Sequence, residues 1–437
     1  MVERYKHQFQ CARKNSSDKA RQYLRGLFQA ERSNISAMSE TVFNSSYEQL
    51  QHFITSSPWS ASSVKKQIAD DAVKAFAPLR GQSALLVDEY SCRKQGQSSV
   101  GVARQYLGCV GKIDNGQVAV VATLAKEHYT AMVASRLFLP ESWITNPNNL
   151  DKCGVPASVR AATTKPEIAA AMVAELYTNG VVWDFLNADS LYGHSTAFRR
   201  TVDCLCHYVV FVHADQTIYL SDPKPQVKER LHERGRRPTS LETTAFHQTV
   251  AEFVSEQPKS AWKALTYQHG TKGTYTREVL TADLWTWDGE EEQAVKERLV
   301  VSRKRDGSDL KYSLSNDRQH RFSEHRLLVQ QMYRYWVERS IQDAKHNLGL
   351  TEYQVRSWQA WEHHTALTML ALLFLTEERI ANKRGSPLLS CSDIRDILAK
   401  VLPSKLTDSA ALKRMIAERH RRRASDIERY KRLSPSD

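Results

Sequence analysis

Long apolar runs are missing from this 437-residue chain. No stretch approaches the roughly 20 apolar residues that a membrane-spanning helix needs. The longest, Ala366 to Leu375, is interrupted by Thr368 and reads as a core helix. The first residues, Met1-Val-Glu-Arg-Tyr-Lys-His7, carry no secretory hydrophobic segment, so export is not expected. Cysteine is sparse and odd in number: the seven at 11, 92, 109, 153, 204, 206 and 391 argue for reduced thiols in the cytoplasm. The tightest cluster, Cys204-Leu-Cys206-His207, lacks the usual structural-zinc spacing. It also runs into an alternating strand that sends side chains to opposite faces. Acidic residues are outnumbered, 49 against 61 lysines and arginines, for a net charge of +12. That excess favours a polyanionic partner, nucleic acid ahead of a membrane surface.

What is present falls into five regions, more than one ordinary core can hold. Residues 1–80 read as helices, with Lys14, Lys19, Arg21, Arg25 and Arg32 among the apolar positions. Those cations fit either a solvated face or DNA contact. Residues 81–213 alternate strands and helices, an α/β layer. Ser83 to Asp88, Ala103 to Leu107, Gln117 to Leu124 and Ser135 to Leu139 read as strands, with turns at Gly108, Gly111 and Asp114-Asn115-Gly116. A helix from Lys165 to about Tyr177, a strand from Val181 to Ala188, a helix near Ser195 to Leu205 and a strand from Tyr208 to His213 follow. Residues 214–323 interrupt this pattern with charged segments, loop plus short helix over 224–238, and short strands near Thr276, Leu284, Leu299 and Leu310. Asp288-Gly289 and Asp306-Gly307 read as hairpin turns. Residues 324–385 carry two long helices, Glu324 to Leu348 and Ser357 to Asn382. Residues 386–437 form a basic tail that includes Arg419-His-Arg-Arg-Arg423.

Three acids stand where chemistry is expected. Asp88 ends one apolar run, Asp189 ends another, and Glu338 lies on a segment with helical spacing. Carboxylates so placed can converge on a pair of divalent cations and serve in-line displacement at phosphorus. Magnesium suits such a site because it prefers oxygen donors and keeps several waters. Glu338 and Lys345 are nearly two helical turns apart, and Arg334 lies four before Glu338, so all three share a face. Each acid has a plainer alternative. Asp88 could cap a turn, with Glu89 its rival; Asp189 could cap the next helix; Glu338 could form a surface ion pair, with Asp343 its rival.

The ordered set of motifs is more specific than any one of them. Asp88-Glu-Tyr-Ser-Cys-Arg-Lys94, Ala103-Arg-Gln-Tyr106, Asn187-Ala-Asp-Ser-Leu-Tyr-Gly193, Val337-Glu-Arg-Ser-Ile-Gln-Asp-Ala-Lys345 and Tyr353-Gln-Val-Arg-Ser-Trp358 occur in that order. Together they resemble the DDE-type transposases of bacterial insertion sequences, specifically the insertion-sequence 701 type. The resemblance covers about residues 20 to 380. It implies a ribonuclease H-like mixed sheet flanked by helices, with an inserted β-rich subdomain over 214–323 and a helical N-terminal DNA-binding region. It also implies DNA strand cleavage and transfer at transposon ends by a two-metal mechanism. Asp88, Asp189 and Glu338 would be the metal-binding triad for two magnesium (or manganese) ions. Arg334, Lys345, Arg356, Lys94 and Arg104 would be DNA contacts. Gln331 stands where related proteins have a tyrosine.

Trp285 and Trp287 share a strand face, which reads first as the apolar face of a small sheet; the resemblance implies instead that an aromatic of the insertion stacks on a flipped base at the transposon end. Trp358, Trp361, His363 and His364 are assigned, with Arg356, to the helix after the catalytic one, the tryptophans as core and the histidines as polar-face residues. The partners implied are double-stranded DNA, both transposon ends and target, and a second copy of the chain in a synaptic complex; no membrane is involved. The protein would sit in the bacterial cytoplasm, on the nucleoid when bound to DNA. Two other functions stay open, a ribonuclease H-like metal nuclease without strand transfer and a non-catalytic DNA-binding protein derived from a transposase.

Overall fold

The computed structural model describes residues 1–11, 14–228, 239–270 and 273–405, with scattered residues of the tail beyond. Residues 229–238 of the charged segment, and Arg419 and Arg422 of the arginine-rich stretch of the tail, lie outside the described residues. Four helices come first: α1 (Ser17–Gln29), α2 (Ile35–Thr41), α3 (Tyr47–Thr55) and α4 (Ala61–Phe76). Asn34, Ser46 and Ser60 cap the last three through their side-chain oxygens. The central sheet follows, with strands β1 (Ser83–Arg93), β2 (Ala103–Leu107), β3 (Lys112–Lys126) and β4 (Tyr129–Leu137). After helix α5 (Lys165–Thr178), opened by a Thr164–Glu167 capping box, comes strand β5 (Phe185–Ala188). Helices α6 (Ser190–Gly193) and α7 (Thr196–Asp203) lead to strand β6 (Val209–Phe211).

In this sheet β3 pairs antiparallel with β1, β2 and β4, while β5 pairs parallel with β1. A parallel bridge from Leu186 to Tyr208 then joins β5 to the start of β6. The order β4-β3-β1-β5-β6, with only β3 reversed among the inner strands, is the ribonuclease H-like arrangement. Asp114-Asn115-Gly116, read above as a turn, lies inside β3. The hairpin turns at residues 108–111, where Gly108 and Gly111 are read above as turns. Gly116 is needed for close approach: an added Cβ would lie 2.5 Å from the Cys92 carbonyl oxygen.

The insertion builds a second sheet from β7 (Lys263–Gly270), β8 (Gly273–Thr286), β9 (Val295–Arg303) and β10 (Lys311–Ser315). Its order is β7-β8-β9-β10-β6, so β6 belongs to both sheets. The two strands expected near Thr276 and Leu284 are one long strand. Gly289 and Gly307 do take the left-handed conformation of the expected hairpin turns. Leu280, Leu284, Leu299, Val301 and Leu314 form this subdomain's own core with Phe253 and Trp262.

Helix α8 (Glu324–Met332) and helix α9 (Tyr335–Leu348) replace the single long helix expected here, with a break at Tyr333-Arg334. The chain contains no glycine or proline at that point, so local sequence gives no sign of the break. Helix α10 (Trp358–Ala381) is buried for most of its length, and α11 (Cys391–Val401) closes the described fold. The first eighty residues share one continuous core with the central sheet and α10. Within it His363 stacks on Trp59 at 3.7 Å and bonds the Ile54 and Trp59 carbonyls, while His364 bonds the Tyr23 hydroxyl at 2.8 Å. Both histidines are therefore core residues rather than polar-face ones. Burial lowers the His364 pKa to about 4 and keeps its ring neutral. Among the described residues no helix is long and apolar enough to cross a membrane.

Candidate active site

Strand register brings the two aspartates together. The β1–β5 pairing ends at Val87 opposite Ala188, so Asp88 and Asp189 are the next residues on neighbouring strands. Each aspartate fixes one oxygen on local backbone and turns the other towards Arg334. Asp88 Oδ1 accepts the Glu89 N–H at 2.8 Å. Asp189 Oδ1 caps α6, accepting from Leu191 N at 2.9 Å and Tyr192 N at 3.3 Å. The capping role and the site role are thus filled by different oxygens of one side chain. Gly193 makes the cap fit: a Cβ there would lie 1.9 Å from the Phe211 carbonyl oxygen, so only glycine lets α6 sit against β6.

Glu338 arrives from the first turn of α9, and Arg334 stands at the break that starts this helix. The Arg334 guanidinium lies among all three acids. Its Nη2 is 3.2 Å from Asp88 Oδ2 and 3.9 Å from Asp189 Oδ2, and its Nε is 3.4 Å from Glu338 Oε1. Glu338 is largely exposed, whereas Asp88 is buried. Burial pushes the Asp88 carboxyl up to about 7; Arg334 opposes that rise, and the like charges of Asp189 and Glu338 add to it. Among the described residues no three carboxylate, imidazole or thiol groups close to metal-ligand spacing. The acids surround a guanidinium instead. Their chemistry still fits a hard divalent ion, since the donors are carboxylate oxygens and one from each acid is already drawn to a shared cation.

The rival acids are engaged elsewhere. Glu89 points to the other face and pairs with Lys165 at 2.8 Å. Asp343 pairs with Arg339 at 3.0 Å and accepts from Asn347. Lys345, one helical face with Glu338, is half-buried; burial lowers its pKa, while Cys109, Cys92 and Asp88 hold its charge. Lys94 donates to the Tyr353 carbonyl at 2.8 Å and lies 3.6 Å from that ring's centre, so its ammonium is turned into the protein. Arg104 is exposed on the β2–β3 hairpin. Arg356 is exposed too, but in the loop before α10 rather than on that helix. Gln331 is fully buried and ties α8 to the insertion through Ser302, Ser313 and the Val300 carbonyl. Its position is filled by a structural amide, with no group free to face a phosphate.

A groove of about 720 Å³ runs past Asp189, Arg334 and Glu338. Its far wall carries Tyr267 and Tyr275, with Phe211, Lys311 and Tyr312 nearer the acids. The two tyrosines face each other across the β7–β8 hairpin, ring centres 6.2 Å apart. Trp285 and Trp287 do not line this groove. Trp285 is ten residues along β8 from Tyr275, about 33 Å at the usual strand rise. Its backbone pairs with Tyr219, and the Trp287 indole donates to the Glu291 carbonyl. The insertion's aromatic pair at the site is therefore Tyr267 and Tyr275. One sequence signal marks it: tyrosines on both sides of Gly270-Thr-Lys-Gly273. A larger groove, about 1040 Å³, lies between α4, β4 and α5 and includes none of these residues.

Strand β1 runs on past Asp88 to Arg93 rather than ending there, so the site has one acid within the central strand, one just past the end of its parallel neighbour and one on a following helix. A ribonuclease H-like sheet with acids so gathered defines a class of nucleic-acid-cutting enzymes. In agreement, the family model described as DDE superfamily endonuclease matches residues 7–274, and the chain belongs to that family. The match includes Asp88 and Asp189 and ends before Glu338. The chain is also 29% identical over 172 residues to the probable transposase for insertion sequence element IS701 of Microchaete diplosiphon. That similarity takes in 39% of this chain and 41% of the relative, so the chain matches less than half the length of that protein. Among solved structures, the piggyBac transposase synaptic complex with hairpin DNA aligns over 92% of this chain and 73% of its own, at 12% identity and a TM-score of 0.43. A likeness that distant lends no residue roles.

Proposed function

We propose that this protein is a transposase of the insertion-sequence 701 type, cutting DNA at element ends and joining the freed 3′ ends to target DNA. The observation that carries the reading is the gathering of Asp88, Asp189 and Glu338 within 4 Å of one guanidinium. Family membership and the partial match to a probable transposase support it. Asp88, Asp189 and Glu338 would hold magnesium or manganese, two ions in the working complex. Bound there, such ions would activate the attacking oxygen and stabilise the leaving one.

The chain's own groups would then position the DNA. Arg334 and Lys345 flank Glu338 and would pair with phosphate oxygens, Arg334 through its planar fork. Tyr267 and Tyr275 would stack against a base at the cleaved end, a contact tolerant of sequence. Double-stranded DNA, both as element end and as target, is the partner this assigns, with a homodimer holding two ends. Incubating the protein and magnesium with DNA that carries the element's ends tests the reading. Cuts at both ends followed by joined products are expected. Cutting without joining, given pre-cleaved ends, would reduce the reading to a nuclease. No metal-dependent cutting at all would leave a DNA-binding protein.

A further inference from the structure

Arg334 occupies the space where three acids expect a cation, and its bonds there are loose. Charge-assisted hydrogen bonds between guanidinium and carboxylate close to about 2.7–2.9 Å. Here the separations are 3.2, 3.4 and 3.9 Å. One guanidinium faces three carboxyl groups. The guanidinium's remaining nitrogen, Nη1, is buried and has no acceptor. The side chain rests near the Phe211 ring, 6.0 Å from its centre, at the wall of the groove that also holds Lys311 and Tyr312. Its backbone sits at the α8–α9 break, so a change of side-chain rotamer moves it without disturbing a helix interior.

From this geometry we infer that Arg334 is a stand-in cation. It holds the acid cluster together in the metal-free protein and must swing out when a divalent ion enters, which frees its fork for a phosphate of the DNA. The inference rests on the reading of Asp88, Asp189 and Glu338 as metal ligands. Guanidinium and metal exclude each other because both need the same carboxylate oxygens. Metal loading and phosphate capture thus become one exchange, with the arginine released only where an ion has arrived. The unpaired Nη1 is the donor already waiting for that second partner.

Manganese titration of the full chain, read by the electron spin resonance of free Mn²⁺, tests the exchange without measuring catalysis. Competing occupants coupled by ordinary linkage strengths change affinity by about fivefold or more. Arg334→Gln should therefore bind Mn²⁺ at least about fivefold more tightly than the wild type. Equal or weaker binding by that variant overturns the inference while leaving the metal site standing. Failure of both proteins to bind Mn²⁺ overturns the metal-site reading as well. A measurement on the unaltered protein guards against a misfolded variant. Phenylglyoxal modification of Arg334, followed by peptide mass spectrometry, should speed up when Mn²⁺ is added. An unchanged or slower rate contradicts the exchange.

Discussion

Two arginines, 334 and 199, show how differently one side chain can be used in this protein. Arg199 is buried and fully engaged: Nε meets Glu297 at 3.1 Å, Nη1 the Gly193 carbonyl at 2.6 Å and Nη2 the Thr286 hydroxyl at 3.3 Å. Glu297 is engaged in turn by Tyr208 and Thr286. This network fastens α7 to strands β8 and β9 and so fixes the insertion to the catalytic sheet. Arg334 has three partners at longer range and one idle nitrogen. The saturated site holds the structure, and the unsaturated one lies at the proposed catalytic cluster. A buried charge with every bond made has no reason to move; one with bonds half made is ready to exchange them.

The largest expected effect lies on the chemical side. Asp88→Ala, Asp189→Ala or Glu338→Ala should lower metal-dependent cleavage by at least about a thousandfold, several kcal/mol of barrier. Gel-shift binding to DNA should change little. Normal cleavage by any one of the three would remove that residue from the site. On the structural side, Arg199→Met strands Glu297 without its partner and should cost about 3–5 kcal/mol in denaturant melts. Arg334→Gln should cost clearly less in the same melts, because its pairs are loose and Asp88, already pushed up to about 7, can take up a proton when the guanidinium goes. Equal losses would erase the contrast between the two.

A third prediction concerns pH. The Asp88 carboxyl titrates near 7 in the folded protein, above its ordinary range, so the folded state binds the proton more tightly than the unfolded one. Stability from this group is full below about pH 4 and falls as pH rises to 7. Asp88→Asn has no such proton, and its metal-free stability should gain on the wild type across that window, by on the order of a few kcal/mol. Melts at pH 4 and 7.5 giving the same difference would contradict this. The smallest effect is at the groove's far wall. Tyr275→Ala should weaken binding to a DNA end by about 1–3 kcal/mol, the range for one stacked base. Trp285→Ala should leave end binding unchanged; the reverse result would return base contact to the tryptophans.

How much of this was legible beforehand depended on the range of the signal. Runs of apolar residues ending in an acid marked β1 and β5 and their aspartates, because buried strands announce themselves locally. Helical spacing placed Arg334 and Glu338 on one face. It could not say that Arg334 turns towards the acids, since that follows from the Val87–Ala188 register. The break at Tyr333-Arg334 was hidden for the same reason: tertiary packing makes it, and no helix breaker marks it. Strand β7, Lys263–Gly270, was missed because its side chains do not alternate cleanly, half-buried and exposed positions running together. The tryptophans drew attention by size, yet the tyrosines beside the hairpin are the ones that line the groove of the acids.

The short strand β6 has a consequence for dissection of the molecule. It is bridged on one side to the strand that ends just before Asp189 and paired on the other with β10 of the insertion. Excising the insertion would leave three residues, Val209–Phe211, as a raw border with unpaired amides, a template for foreign strands and for clumping. A minimal catalytic fragment therefore needs a substitute seam along that border before it can stay in solution.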